Sequence, residues 1–148
     1  MMADKALKLL IIEARFYGDI ADELARGTAA VLEAAGAAYE RVAVPGVLET
    51  PAALAYAVEC GRYDGFVMLG CVIRGETGHY DIVAVQSARA IMDLAVKHRL
   101  ALGNGILTVE NREQAWARAR ADGGDKGGAA ARAALAMIEA KAKLETKT

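Results

Sequence analysis

Apolar residues follow two periods along this chain, and the two periods alternate. Short continuous apolar runs, typical of strands buried in a parallel sheet, are separated by longer segments whose apolar residues recur at helical spacing. The runs predict four strands, at Lys8 to Ala14, Tyr39 to Val44, Asp64 to Leu69 and Ala101 to Thr108. Strands that alternate with helices predict an α/β protein, a three-layer αβα sandwich around a four-stranded parallel sheet.

Five segments between and after these strands carry helix signals. The predicted helices run from Asp19 as N-cap to Gly36, from Thr50 as N-cap and Pro51 to Cys60, from Tyr80 to Lys97, from Asn111 with Gln114 in a capping box to Arg120, and from Ala129 to Lys143. The third helix has apolar residues on nearly every face of its start, from Ile82 to Val85. Because the sheet can cover only one of these faces, we expect a neighbouring subunit to cover another.

The totals exclude several classes of protein. A chain of 148 residues, 55% of them hydrophobic, suits one domain over residues 1–148, with flexible termini at 1–7 and 144–148. A net charge of −1 does not suit a nucleic-acid-binding surface. The chain shows no apolar leader and no run near the roughly 20 apolar residues of a membrane-spanning helix. We therefore expect a soluble, cytoplasmic protein.

Cysteine and histidine give no sign of a metal site or of a disulfide framework. Cys60 and Cys71 lack the spacing of zinc ligands, and we expect both to be buried small apolar residues. His79 and His98 are far apart in the sequence and have no carboxylates at ligand spacing. The sequence therefore predicts no metal ion.

The stretch with the most chemistry is Gly70 to Asp81, written GCVIRGETGHYD. It predicts a loop between the third strand and the third helix, in which Gly70, Gly75 and Gly78 permit tight turns. The first amides of the helix lack intrahelical partners and carry the positive end of its dipole, so this place suits a phosphate or a carboxylate. Four side chains that could surround such an anion follow in the same stretch: Arg74, Glu76, Thr77 and His79.

Ligands of open parallel sheets bind beyond the carboxyl ends of the strands. Four loops should meet there: 15–18, 45–50, 70–79 and 108–111. Several single residues nevertheless leave two interpretations open. His79 could transfer protons or simply be hydrogen-bonded, and Phe16 could stack on a planar ligand or cover the core. Glu49 could accept a hydrogen bond from a ligand or serve as first-turn helix charge. Arg118 and Lys126 could hold a phosphate or complement the end of a helix.

Four blocks of sequence match one enzyme family in order and separation. After Ala14-Arg15-Phe16, the blocks are VPGVLETP at 44–51, GCVIRGETGHYD at 70–81, GILTVENREQAWARA at 105–119 and DKGG at 125–128. With them, the chain resembles lumazine synthase (6,7-dimethyl-8-ribityllumazine synthase) of riboflavin biosynthesis over about residues 8–142.

This resemblance implies a flavodoxin-like arrangement of the predicted sandwich. It also implies a transferase that condenses 5-amino-6-(D-ribitylamino)uracil with 3,4-dihydroxy-2-butanone 4-phosphate and releases phosphate and water. The reaction is the penultimate step of riboflavin biosynthesis and uses no metal or organic cofactor. The resemblance also implies a homopentamer with active sites between subunits, open to assembly into a pair of pentamers or an icosahedral capsid. Riboflavin synthase is a candidate protein partner, and neither nucleic acid nor a membrane is expected as one.

The resemblance further implies roles for single residues. His79 matches the proton-transfer histidine, Phe16 matches the aromatic residue that stacks on the pyrimidine, and the phosphate cradle comprises Glu76, Thr77 and Arg118. The pocket for the heterocycle and the ribityl chain would be lined by Leu48, Glu49, Thr50, Val72 and Ile73. Asn104 and Lys126 fall where the neighbouring subunit closes the pocket.

Five positions depart from the family pattern: Tyr17 replaces asparagine, Leu48 an aromatic residue, Thr50 isoleucine, Asn104 phenylalanine or histidine, and Asp125 asparagine. Losing ring surface at 48 and 104 should weaken heterocycle packing by about 1 kcal/mol for each lost aromatic contact. This loss should raise KM more than it abolishes turnover. Two alternatives are a flavin- or lumazine-binding assembly protein with little catalysis and, on the fold alone, a phosphosugar-binding enzyme of another pathway.

Overall fold

The computed structural model describes residues 6–146. Within them the strands are β1 (Lys8–Ala14), β2 (Ala38–Val44), β3 (Gly65–Ile73) and β4 (Leu102–Val109). The helices are α1 (Gly18–Ala34), α2 (Thr50–Cys60), α3 (His79–His98), α4 (Arg112–Ala119) and α5 (Lys126–Glu145), and a 3-10 turn at Val47–Glu49 precedes α2. Each predicted strand and helix is present, with boundaries that differ by up to a few residues.

The four strands form one parallel sheet in the order β2-β1-β3-β4. Side chains alternate between its two faces. Leu9 and Ile11 of β1 belong to the core under α1, α4 and α5, whereas Leu10 and Ile12 belong to the core under α2 and α3. Helices therefore cover both faces of the sheet, which confirms the predicted α/β sandwich.

The predicted flexible termini are only partly covered by the structure. Residues 1–5 and 147–148 lie outside the described residues. At the C-terminal end of the described residues, α5 continues to Glu145, two residues beyond its predicted end at Lys143. The single domain over residues 1–148 stays a prediction.

Glycines allow α5 to lie close to the sheet and to α1. A Cβ on Gly103 of β4 would stand 1.8 Å from the carbonyl oxygen of Ala130, and one on Gly127 would stand 2.0 Å from that of Leu24. The buried Thr28 hydroxyl donates a hydrogen bond to the Gly127 carbonyl at 2.9 Å. Helix α5 is thus held at a separation that no larger residue permits at these two positions.

The third strand is longer than predicted, because it runs to Ile73 and not to Leu69. Gly70 is therefore a strand residue and not part of a turn. A Cβ at this position would stand 2.8 Å from Val47 Cγ2 and 3.0 Å from Ala14 Cβ. Glycine is needed here because the 3-10 turn passes close to the strand. Since β3 ends at Ile73, the connection from β3 to α3 contains only residues 74–78.

Two predicted helix caps are wrong, and one is confirmed. Asp19 lies inside the first turn of α1, whose N-cap is Tyr17. Thr50 is the first residue of α2 and not its N-cap, because the preceding 3-10 turn leads directly into the helix and Glu49 is the N-cap. The Thr50 hydroxyl donates to the Val47 carbonyl at 2.7 Å. Asn111 caps α4 as predicted, with its side-chain oxygen accepting from the Gln114 amide at 2.9 Å.

Candidate active site

A cavity of about 380 Å³ opens at the carboxyl edge of the sheet, where the loops after β1, β2 and β3 meet. This is the edge at which parallel sheets bind ligands. Seven of the residues singled out in the sequence line it: Phe16, Leu48, Glu49, Val72, Ile73, Thr77 and His79. The cavity therefore joins residues that are distant in the chain, and it has the size and the mixed apolar and polar lining of a small-molecule site.

The 3-10 turn forms one wall of this cavity. Val47 is buried against Val72 and Val83, so the turn is anchored to the third strand and to α3. Leu48 and Glu49 are exposed toward the open side. The Glu49 carboxylate folds back toward Gly46, where an added Cβ would stand 3.2 Å from its Oε1. The turn thus presents one apolar and one anionic side chain to a ligand.

The start of α3 forms the facing wall. Gly78 is the N-cap of α3 and has no side chain to cap the helix. Thr77 and His79 flank it, so a hydroxyl and an imidazole lie at the N-terminus of this long helix. The His79 amide donates to Thr77 Oγ1 at 3.3 Å. His79, Thr77 and Gly75 all line the cavity. A helix N-terminus, a hydroxyl and an imidazole therefore lie at one place, the arrangement that an anion site would use.

Phe16 overhangs the cavity from the loop after β1. Its side chain is 73% exposed, which is unusual for phenylalanine and leaves a ring face open to a ligand. Its ring contacts Tyr17 edge to face, with 4.9 Å between ring centroids. A planar heterocycle entering the cavity could therefore stack on Phe16.

Arg74 lies in the predicted anion loop but does not line the cavity. Its guanidinium stacks over the Tyr80 ring at 4.2 Å, and its Nε donates to Glu110 Oε1 at 3.1 Å. The hydrogen bond with Glu110 raises the pKa of Arg74. Arg74 thus braces Tyr80, which itself lines the cavity, against the end of β4.

Five further predicted site residues do not line this cavity in the single chain: Thr50, Glu76, Asn104, Arg118 and Lys126. Thr50 is buried beneath the 3-10 turn, and Glu76 is exposed in the loop after β3. Arg118 lies in the last turn of α4, where its Nη1 donates to the Gln114 carbonyl at 3.1 Å. Lys126 is exposed as the first residue of α5. Helices α4 and α5 cover the opposite face of the sheet from α2 and α3.

Asn104 lies in a second depression, a groove between α3, β4 and α5 with a volume of about 570 Å³. We call it the α3–α5 groove. Its lining is mainly apolar and includes Ile91, Met92, Val96, Met137 and Leu144. Asn104 Oδ1 accepts from the Ile106 amide at 2.9 Å, so it satisfies a donor on the outer side of the edge strand.

Seven further residues line the cavity but were not predicted as site residues: Tyr17, Gly46, Val47, Cys71, Gly75, Tyr80 and Val83. Helical spacing could have found Val83, because it follows His79 by one turn of α3. Cys71 could not be found without knowing that β3 continues past Gly70. Burial raises the pKa of the Cys71 thiol to about 11, so it is a neutral, apolar part of the cavity at neutral pH.

Metal-binding clusters and membrane-spanning helices are both absent from the described part of the chain. Among residues 6–146, no three His, Cys, Asp or Glu side chains come together closely enough to hold a metal ion. Over the same residues, none of the helices is long and apolar enough to cross a membrane.

The chain is an α/β protein with a cavity at the carboxyl edge of its parallel sheet, the edge at which proteins of this class bind small molecules. The model of the 6,7-dimethyl-8-ribityllumazine synthase family matches residues 6–142. The chain therefore belongs to the lumazine synthase family, an enzyme family of riboflavin biosynthesis.

Similar proteins carry the same family name. The chain is 63% identical to 6,7-dimethyl-8-ribityllumazine synthase 1 of Rhizobium meliloti (strain 1021), over 95% of both chains. It is 62% identical to 6,7-dimethyl-8-ribityllumazine synthase of Agrobacterium fabrum, over 92% of this chain and 95% of the relative. For the Afipia carboxidovorans synthase the identity is 56%, over 93% of this chain and 87% of the relative. These similarities confirm the family that the sequence motifs indicate.

Proposed function

We propose that the protein condenses 5-amino-6-(D-ribitylamino)uracil with 3,4-dihydroxy-2-butanone 4-phosphate to give 6,7-dimethyl-8-ribityllumazine, phosphate and water. This would be the penultimate step of riboflavin biosynthesis. The observation that carries the proposal is the meeting of Phe16, Glu49, Thr77 and His79 around one cavity in a chain of this family. The condensation transfers no electrons, so it requires no redox cofactor.

The chemistry makes modest demands that these side chains can meet. The primary amine attacks the ketone and one water leaves as an imine forms. Phosphate is then eliminated and the resulting enol becomes a second ketone. The ribitylamino nitrogen attacks this ketone and closes the second ring with loss of a second water. Each step moves a proton, which suits the imidazole of His79 at the start of α3. The Thr77 hydroxyl and the positive end of the α3 dipole suit the phosphate. Phe16 suits the pyrimidine face, and Glu49 can accept hydrogen bonds from its N–H groups.

The site needs a second copy of the chain to be complete. Arg118 and Lys126 are expected to bind phosphate and close the pocket, but they lie on the α4 and α5 side of the sheet, outside the cavity. Ile82 and Val85 of α3 are exposed, as expected for a helix that a neighbouring subunit covers. These positions support a homopentamer or larger assembly with active sites between subunits. Riboflavin synthase as a partner and a cytoplasmic location stay predictions.

The activity is tested by mixing both substrates with the purified protein and following the absorbance of the lumazine. His79→Ala should slow turnover by about 10-fold to 100-fold, a modest effect because the uncatalysed condensation is itself feasible. The control is His98→Ala, which removes the other histidine at the far end of α3. Wild-type protein that does not exceed the spontaneous rate would contradict the proposal. Riboflavin binding without turnover would select the binding-protein alternative.

The shared site is tested by complementation between chains. His79→Ala and Arg118→Ala chains, each impaired alone, are co-expressed so that they assemble together. Because His79 and Arg118 come from different chains in each site, some mixed interfaces should carry both native residues, and turnover should recover in part. Arg120→Ala serves as the control for Arg118→Ala, because its guanidinium pairs with Asp122 on the surface at 3.0 Å. Recovery that does not exceed the sum of the two variants would place both residues in one chain's site.

A further inference from the structure

Glu13 is a buried carboxylate that the proposed reaction does not use. It lies near the end of β1 and is only 2% exposed. Its Oε2 accepts from Arg41 Nε at 2.5 Å, and its Oε1 accepts from Arg41 Nη2 and from Arg15 Nη1, both at 2.9 Å. A buried carboxylate is tolerated only when its charge and its lone pairs are satisfied, and two guanidiniums satisfy this one.

Arg15 connects this carboxylate to the start of α1. Its Nη2 donates to the Gly18 carbonyl at 3.3 Å and to Asp22 Oδ1 at 2.5 Å, while its backbone amide donates to the Val44 carbonyl at 3.0 Å. One planar group therefore bridges three acceptors, Glu13 on β1 and both Gly18 and Asp22 in the first turns of α1. Only two residues, Phe16 and Tyr17, lie between Arg15 and the first residue of α1.

We propose that Glu13 and Arg15 form a clamp that holds the 15–18 loop in the shape that presents Phe16 to the cavity. Glu13 is then a positioning residue, since it touches no ligand and acts through Arg15. This inference rests on the proposed function only for the identity of the ligand, the ribitylaminouracil. Arg41 completes the clamp from β2 and holds the carboxylate from its other side.

The clamp should act on binding more than on chemistry. Phe16 is largely exposed, and an exposed ring on a short loop has many orientations unless the backbone beneath it is fixed. A stacked ring contacts the pyrimidine before and during the reaction alike. Loosening the loop should therefore raise KM for the pyrimidine and leave kcat and the KM for the phosphate substrate nearly unchanged.

The test compares Glu13→Gln and Asp22→Ala with wild type by hydrogen–deuterium exchange and by steady-state kinetics. Asp22 is exposed, so its replacement cuts the α1 end of the clamp while the buried carboxylate stays in place. Glu33→Gln is the matched control, because Glu33 is an exposed acid on α1 that accepts a hydrogen bond from Tyr39 at 2.6 Å. In both clamp variants, exchange in segment 15–18 should rise about 10-fold while exchange in β3 is unchanged.

The pyrimidine KM of both clamp variants should rise about 5-fold to 10-fold, with kcat within about twofold of wild type. Arg15→Lys should behave like the clamp variants, because an ammonium retains the charge but cannot bridge the three acceptors. Unchanged exchange in segment 15–18, or faster exchange without a change in the pyrimidine KM, would overturn the inference. Wild-type protein without turnover contradicts the proposed function instead, and the exchange measurement then still decides whether the clamp holds the loop.

Discussion

The two cysteines differ in exposure and in thiol pKa because their surroundings differ. Both are expected from the sequence to be buried apolar residues, and this holds only for Cys71 on β3. Cys60 is exposed because it ends α2 beside the left-handed Gly61, where the chain turns away from the core. Hydrogen bonding with Arg62 lowers the pKa of the Cys60 thiol, whereas burial raises that of Cys71.

These opposite pKa shifts predict selective labelling with iodoacetamide. The thiolate is the reactive form, so at about pH 8 Cys60 should be modified first and Cys71 should stay unmodified in folded protein. Raising the pH toward the pKa of Cys71, about 11, should bring its thiol into reaction. Peptide mass spectrometry identifies the modified site, and Cys60→Ser is the control that should remove the fast phase. Equal rates at both positions would contradict the assigned environments.

Helix α5 and strand β4 illustrate what decides the packing of whole elements. Because glycines usually break helices, the glycine-rich segment 121–128 predicts that α5 begins at Ala129. In the structure, the helix begins at Lys126. Asp125 caps it, with its side-chain Oδ1 accepting from the Gly128 amide at 3.1 Å. The glycines are needed for contact with α1, because Gly127 meets the backbone of Leu24. Propensity alone misjudges such a helix, since its glycines are selected by a tertiary contact.

Gly103→Ala is predicted to destabilise the fold strongly. The added methyl group would stand 1.8 Å from the Ala130 carbonyl oxygen, so α5 must move away from the sheet. We expect the free energy of unfolding to fall by about 3 kcal/mol or more. Urea denaturation measures this change. Gly18→Ala is the control, because no atom lies within 4 Å of its added Cβ and its backbone is helical; a similar loss there would contradict the packing argument.

The surface of the single chain leaves apolar area uncovered on one side. The α3–α5 groove is lined in part by α3, and the exposed residues Ile82 and Val85 belong to α3. The sequence predicts apolar residues on more faces of this helix than the sheet alone can cover. Asn104, expected beside a neighbour's pocket, lies in this groove. Together with Arg118 and Lys126 outside the cavity, these positions favour the proposed assembly in which each site is built from two chains.

Met92→Asp is predicted to break that assembly without unfolding the chain. Met92 is 63% exposed in the groove, so the charge costs little in a separate chain but would be buried between subunits. Sedimentation velocity should show smaller species, and turnover should fall because Arg118 no longer reaches a neighbour's cavity. Tyr56→Asp, at a 75% exposed position on α2, is the control. Native assembly of the Met92 variant, or equal disruption by the control, would contradict this role of the groove.

The order of elements and the chemistry at the strand ends are local properties, and they could be predicted from the sequence. Apolar periodicity located β1 to its observed ends, and the Asn111 cap was found because it depends on residues within one turn. The motif residues Phe16, Glu49, Thr77 and His79 could be placed at one edge because parallel strands bring their carboxyl ends together.

Only the tertiary structure decided which of those residues share a cavity and which lie outside it. It placed Gly70 inside β3, added Cys71 and Tyr80 to the lining, turned Arg74 away toward Glu110 and set Arg118 on the other side of the sheet. Each of these outcomes depends on contacts between segments far apart in the chain. Periodicity and local propensity report a residue's neighbours along the chain, whereas packing selects its neighbours across the fold.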